Sequence, residues 1–204
     1  GGRRGGFFVE AGGHDGFTQS NTYWLERFRG WRGFLIEPIP ELFALCRAER
    51  PTAFVLNAAL VGPDHDGATV RMQFGDLMST VSGTHGDDED WVAPGLALGW
   101  SQTYAIDVPA RTLSSVLEEF GAPEVDLLSL DVEGFEEPVL RGLDLERHAP
   151  RFLLVEMHDL EEGRRLVGGL LGERYVEHAQ PTPLDVIYRR ADVTVPDAGA
   201  GAGA

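Results

Sequence analysis

Short apolar runs recur along the chain, and a polar or acidic turn follows each of them. Phe7-Phe8-Val9 precedes Glu10-Ala11-Gly12-Gly13-His14-Asp15-Gly16, and Gly33-Phe34-Leu35-Ile36 precedes Glu37-Pro38. Ala53-Phe54-Val55-Leu56 precedes Asn57, and the run from Val125 to Leu130 precedes Asp131-Val132-Glu133-Gly134. Phe152-Leu153-Leu154-Val155 precedes Glu156-Met157-His158. If these runs are parallel strands, every polar cluster falls at a carboxyl-terminal strand end, the edge at which open α/β sheets bind ligands.

Segments with apolar residues at helical spacing separate the runs: Thr18 to Phe28, Pro40 to Ala48, Thr112 to Phe120, Glu136 to Arg141 and Leu160 to Leu171. Gly30 supplies a stop for the first, Pro40 suits the first turn of the second, and Gly121-Ala122-Pro123 ends the third. Thr69 to Phe74 and Tyr104 to Val108 read as further strands. Arg174 to Glu177 and Leu184 to Arg189 leave no room for a helix between them, as an antiparallel closing pair requires. The alternation predicts an α/β fold: a Rossmann-like, mostly parallel, doubly wound sheet with an antiparallel closing strand. One domain over residues 1–190 is expected, followed by a disordered Gly-Ala-rich tail over 191–204. From Gly75 to Thr103 the periodicity fails, the acids Asp87-Asp88-Glu89-Asp90 cluster, and Trp91 and Trp100 stand nearby. That stretch is expected to be an irregular, lid-like insertion.

Composition narrows the function. A chain of 204 residues, 43% hydrophobic and 25% charged, suits one domain with a full core. The formal net charge of −16 disfavours nucleic acid, whose binding draws on Lys and Arg at phosphates. Cys46 is the single cysteine, which excludes an internal disulfide and a zinc site built from several thiolates. No apolar stretch approaches the roughly twenty residues of a membrane span, and the start lacks a secretory pattern, so no membrane partner and a cytoplasmic location are expected. Oligomeric state is not set by the sequence.

Gly12, Gly13 and Gly16 allow a tight turn and close backbone approach to a ligand at a helix amino terminus. A side chain at Gly12 is expected to block the ligand and spare the fold. The spacing is not the dinucleotide fingerprint, since a Gly-x-Gly-x-x-Gly count from Gly12 meets His14 and Phe17. Glu10 opens the turn instead, and a carboxylate repels a pyrophosphate but attracts an ammonium, favouring S-adenosylmethionine. Glu37 stands where an acid accepts both ribose hydroxyls, and Asn57 at the third strand end faces the adenine or simply shapes a turn. An NAD(P)-dependent oxidoreductase on the same sheet is the alternative, disfavoured by the glycine spacing and Glu10; a catalytically silent cofactor-binding scaffold is another.

These segments resemble the FkbM family of S-adenosylmethionine-dependent methyltransferases. The resemblance is carried by Val9 to Thr22, Gly33-Phe34-Leu35-Ile36-Glu37-Pro38, Asn57-Ala58-Ala59-Leu60, Thr112-Leu113, Asp126 to Glu136 and Val139-Leu140-Arg141-Gly142, with Asp-Val-Glu-Gly-Phe-Glu its most specific piece. It implies a class I methyltransferase with cofactor contacts at Glu10, Gly12, Gly13, Asp15, Gly16, Asn21, Thr22, Glu37, Pro38, Asn57 and Ala58. It also implies methylation of a small-molecule acceptor, typically at a hydroxyl of a sugar, polyketide or other secondary metabolite. The chain departs from the family in having Glu10 where Asp is common and Ser129-Leu130 where a lysine often precedes the acid.

Methyl transfer to oxygen needs an aligned acceptor and a base or metal to ease ionisation of the hydroxyl. Asp131, Glu156 and His158 are expected to face the cleft as catalytic groups, and the same three as ligands of a divalent cation such as Mg²⁺. Glu133 belongs with them as a candidate, against a plain role bonding loop amides.

Overall fold

The computed structural model describes residues 3–96 and 102–195. The first half of the chain builds β1 (Phe7–Ala11), α1 (Tyr23–Arg29), β2 (Arg32–Ile36), α2 (Pro40–Glu49) and β3 (Phe54–Leu56). Then come β4 (Ala59–Leu60), β5 (Thr69–Gln73), β6 (Thr80–Val81), α3 (Asp88–Leu96) and β7 (Ala105–Arg111). The second half adds α4 (Leu113–Glu119), β8 (Leu127–Leu130), α5 (Glu136–Arg141), α6 (Leu145–His148), β9 (Phe152–Glu156), α7 (Leu160–Leu171), β10 (Tyr175–Ala179) and β11 (Asp185–Arg190).

The main sheet has seven strands in the order β10-β11-β9-β8-β1-β2-β3. Its β1, β2, β3, β8 and β9 pair in parallel, whereas β11 runs antiparallel to both neighbours, as the closing pair predicts. From β1 the chain winds outward through β2 and β3, then returns to place β8 on the other side of β1. That reversal opens a crevice at the carboxyl ends of β1 and β8.

Strand alternation sorts the core. Val9, Ala11, Phe34, Ile36, Leu128 and Leu130 face one side and pack with Leu113 and Val116 of α4, Val139 and Leu140 of α5, and Val167 and Leu171 of α7. Phe8, Leu35 and Val55 face the other side and meet Cys46 of α2. Cys46 is buried and its thiol is pushed up to about 12 by burial, so it serves as packing. No helix among the described residues is long and apolar enough to cross a membrane.

Three departures from the expected layout have local causes. A second sheet, β4-β7-β5-β6, holds the segments read as Thr69 to Phe74 and Tyr104 to Val108. These pair antiparallel with each other, and α3, between them in the chain, packs against β5. Helix α1 begins at Tyr23, not Thr18, because Asp15 and Glu10 hold the intervening backbone: Asp15 accepts from the Phe17 and Thr18 amides, and Glu10 from the Asn21 amide. The insertion from Gly75 is not irregular throughout. The acid run starts α3, with Asp87 accepting from the Glu89 and Asp90 amides as an N-cap and the next acids favourably placed in the first turn. Pro94 and Gly95 mask this helix in the sequence; Gly95 has no side chain because a Cβ there would sit 1.7 Å from the Gly75 carbonyl oxygen. Trp100 and residues 196–204 of the expected tail lie outside the described residues, while Val193 is buried, so packing continues past residue 190.

Arg50, at the end of α2, ties the α1 side together. It is 1% exposed, pairs with Glu26, and donates to the Gly16 carbonyl at 3.0 Å, to Ser20 Oγ at 3.0 Å and to Thr22 Oγ1 at 2.9 Å. Replacing it by methionine leaves two buried acids without their cation. Arg50→Met is therefore expected to lose about 3–5 kcal/mol in urea unfolding. Gly12 has φ +84, and a Cβ there would lie 1.9 Å from the Asp131 carbonyl oxygen. Its need for glycine comes from the crossing of two backbones, so Gly12→Val is expected to lower the thermal midpoint or prevent folding, against the sequence expectation that the fold survives.

Candidate functional site

The crevice at the switch point is bounded by the loop after β1, the end of β2, the small sheet and the β8–α5 loop. Glu10, Gly12, Asn21, Glu37, Pro38, Ala58 and Asp131 of the sequence-derived set line it, joined by Glu133 and Asp76. Gly13, Asp15, Gly16, Thr22 and Asn57 do not. Gly13 and Gly16 face α2, where added side chains would crowd Leu35, Cys46 and Arg50. Thr22 is fully buried against Glu10, and Asp15 braces its own turn. Asn57 donates to the Glu37 and Pro38 carbonyls at 2.9 and 2.8 Å, stapling the end of β2 to the end of β3.

The two acids of the cofactor half are held differently. Glu10 is 3% exposed, and Ser20 Oγ, the Asn21 amide and Thr22 Oγ1 all donate to it, with Arg50 at 3.7 Å. Burial raises its pKa against those bonds. Its carboxylate thus organises the loop, and reaches the crevice only with what this network leaves free. Glu37 is 4% exposed and accepts from the His14 and Ile39 amides, each at 2.8 Å. No cation pairs with it among the described residues, and burial pushes it up to about 8 despite the two amides. Such an acid on a cleft wall has acceptor capacity to spare for hydroxyl donors.

The opposite wall carries a cluster of four. Asp131 follows β8, is hydrogen-bonded to Glu156 at the end of β9, and is raised well above the usual carboxylate range by burial, that bond and its acidic neighbours. Two acids that close cannot both ionise cheaply, so the pair favours sharing a proton. Glu133 Oε2 lies 3.0 Å from His158 Nε2, and Glu156 lies 3.9 Å from the same nitrogen. The bond to Glu133 raises His158 above its ordinary value. Glu136 accepts from the Val132 and Gly134 amides and fixes the loop that carries Glu133. Burial raises it to about 7.

Of the three groups that the sequence places at the cleft, Asp131 lines the crevice, and Glu156 and His158 join it through side-chain contacts. Glu133 lines the crevice as well, and Glu156 and His158 stand beside it, 20% and 30% exposed, as partners of Asp131 and Glu133. The expected cation set changes membership as well: the ligand atoms that come within 4.8 Å of one another belong to Glu133, Glu156 and His158, with Asp131 linked through Glu156. Parallel pairing of β8 with β9 brings these acids together, and sequence spacing alone does not reveal which of them line the crevice.

The insertion completes both walls. Asp76 bonds His14 Nε2 at 2.8 Å across the cofactor half. Thr80 and His85 bond the Glu133 carbonyl on the other side. Neither contact has a signal in the sequence, since each joins residues separated by 48 positions or more.

Among solved structures, the fold is similar to that of methyltransferase FkbM from Methylobacillus flagellatus KT, with a TM-score of 0.55 and 14% identity. The match covers 91% of this chain and 43% of that one, so the chain spans less than half the length of that protein. A TehB-like SAM-dependent methyltransferase from Corynebacterium glutamicum ATCC 13032 Kitasato matches with a TM-score of 0.47 and 13% identity, over 92% of this chain and 81% of that one. No curated protein matches the chain. The model of the methyltransferase FkbM domain matches residues 10–180, taking in both walls of the crevice and the insertion between them. The chain belongs to the FkbM methyltransferase family.

Proposed function

We propose that the protein is an S-adenosylmethionine-dependent methyltransferase that methylates a hydroxyl of a small molecule. The observation that carries the cofactor assignment is Glu37: a buried acid with no cationic partner among the described residues, on the wall of the switch-point crevice. Two ribose hydroxyls would complete its hydrogen bonding. The crevice fits a cationic methyl donor, since the charged side chains on its walls are acids and none is an arginine. Glu37 would hold the ribose, and Glu10 with Asn21 would bound the amino-acid end. When bound, the cofactor supplies a methyl group on a sulfonium, which needs no activation by the protein.

The chain's own task is then to align the acceptor and take its proton. Asp131 is the wall residue suited to this role, because a carboxylate with a raised pKa is a stronger base than an exposed one. With one proton shared between Asp131 and Glu156, the remaining negative charge accepts the hydroxyl proton as the new C–O bond forms. Glu133 and His158 flank that position and fix the shape of the wall.

Glu37→Gln is expected to raise the dissociation constant for S-adenosylhomocysteine by roughly tenfold or more in calorimetry, because two ribose hydroxyls would draw Glu37 into its ionised form, whose charge-assisted bonds an amide cannot make. The same variant has a signature in the free protein. An unfolded Glu ionises near 4.5, whereas Glu37 in the fold holds its proton to about 8. Between those values the folded state binds more protons, so stability falls as pH rises through that window. Urea unfolding of Glu37→Gln should show a shallower loss of stability across that window than wild type. Unchanged affinity in a folded variant rejects Glu37 as the ribose partner.

Asp131→Asn is expected to lower turnover by about 10²–10⁴-fold while leaving S-adenosylhomocysteine affinity nearly intact. The measurement is transfer of labelled methyl from S-adenosylmethionine to a panel of hydroxylated small molecules. Turnover that persists in EDTA supports proton transfer to Asp131. Loss in EDTA with recovery in Mg²⁺ moves the assignment to a cation held by Glu133, Glu156 and His158.

A further inference from the structure

Glu133 is the one non-glycine residue of the β8–α5 loop with a left-handed backbone, at φ +53. An L side chain with that backbone and no turn-forming bond of its own is held there by its surroundings. Glu136 brackets Glu133 from within the loop by accepting from the Val132 and Gly134 amides, and two side chains of the insertion hold the Glu133 carbonyl. Thr80 Oγ1 donates to the Glu133 carbonyl at 2.9 Å, and His85 Nε2 lies 2.9 Å from the same oxygen. A carbonyl only accepts, so the His85 proton resides on Nε2 in this contact. Gly134 makes the approach feasible: a Cβ there would lie 2.7 Å from His85 Cε1.

The insertion holds the cluster from a third point. Trp91 of α3 stacks on His85, with ring centres 3.5 Å apart and planes at 9°, and its edge meets His158 at 4.8 Å and 90°. Thr80 is fully buried, so the contact belongs to the packed structure and not to a surface encounter. The left-handed turn at Glu133 aims its carboxylate at His158 while its carbonyl points to the insertion. One residue thereby joins the insertion to the acceptor wall.

We propose that Thr80 and His85 are positioning residues for methyl transfer: by clamping the Glu133 carbonyl they hold its carboxylate against His158 and so shape the acceptor side of the crevice. This rests on the methyltransferase reading for its catalytic consequence, but the clamp itself is a statement about geometry. Releasing the carbonyl lets residue 133 relax to a right-handed or extended backbone, which swings the carboxylate away from the imidazole. Glu37 and Glu10, on the other wall, keep their own hydrogen bonds.

The test uses Thr80→Val, which keeps the shape and removes the donor, His85→Phe, which keeps a ring against Trp91 and removes Nε2, and the double variant. Crystal structures of the cofactor-free proteins are the first readout. The expected result for the double variant is a negative φ at residue 133 and a broken bond to His158. A left-handed Glu133 still bonded to His158 overturns the proposal. This readout stands whether or not methyl transfer is ever found, so its failure is distinct from failure of the functional reading. With an acceptor from the labelled-methyl panel, the double variant should lose about 10–100-fold in kcat with KM for S-adenosylmethionine within about twofold of wild type, and Thr80→Ser should retain wild-type turnover. Unchanged kcat, or a loss confined to cofactor affinity, also overturns it. Should the double variant not fold, the single variants carry the same two readouts.

Discussion

The architecture of the crevice depends on one buried cation. Arg50 lies inside the protein with its guanidinium between the rings of Phe8 and Tyr23, at 5.4 and 5.6 Å from their centres. Burying a charge is costly unless every part of it is paired and hydrogen-bonded. Arg50 meets that condition with Glu26, two hydroxyls and a backbone carbonyl, with Glu10 close by. The result is a crosslink between the end of α2, the first turn of α1 and the loop after β1. Through it Ser20 and Thr22 are brought onto Glu10, and the floor of the crevice takes its shape. Gly16 is part of the same arrangement, since a Cβ there would lie 2.8 Å from Arg50 Cγ.

Glu37 and Asp131, on the walls of the crevice, have no arginine partner among the described residues. All seventeen basic residues are arginines, and apart from Arg50 those with recorded ion pairs have them at or near the protein surface. Burial raises the pKa of Glu37, and burial with its acidic neighbours raises that of Asp131. Acids held in this way make the fold less stable at neutral pH than it would be without them, a cost that accompanies binding and catalytic sites more often than plain structural ones. An acidic lining without arginine would suit the proposed cationic cofactor and oppose a phosphorylated acceptor.

Much of the frame was legible in the sequence for a simple reason. Strands buried on both faces must be short and continuously apolar, and helices between them must show apolar residues at helical spacing. Hence β1, β2, β3, β8 and β9 were visible, together with the polar residues at their ends. The small sheet was harder, because β5 and β7 are partly exposed and either could have joined the main sheet. The start of α3 was hidden by acids that look like a solvated loop until Asp87 is seen to cap the helix.

The sequence by itself determined the class of fold, the family and the segment ends at which chemistry gathers, because these follow from local periodicity and from motifs read along the chain. Which residues of those ends share a surface was decided only in three dimensions. Asn57 became a staple between strand ends, Glu133 joined the wall, and Glu156 and His158 took places beside it as partners of the wall acids. Arg50 gave no local sign of its role, since a lone arginine at the end of a helix is ordinarily solvated. Its partners lie 24 to 34 residues away, and only packing of α1 against α2 removes the water that would otherwise satisfy them. Long-range burial, not local pattern, turns those residues into a site.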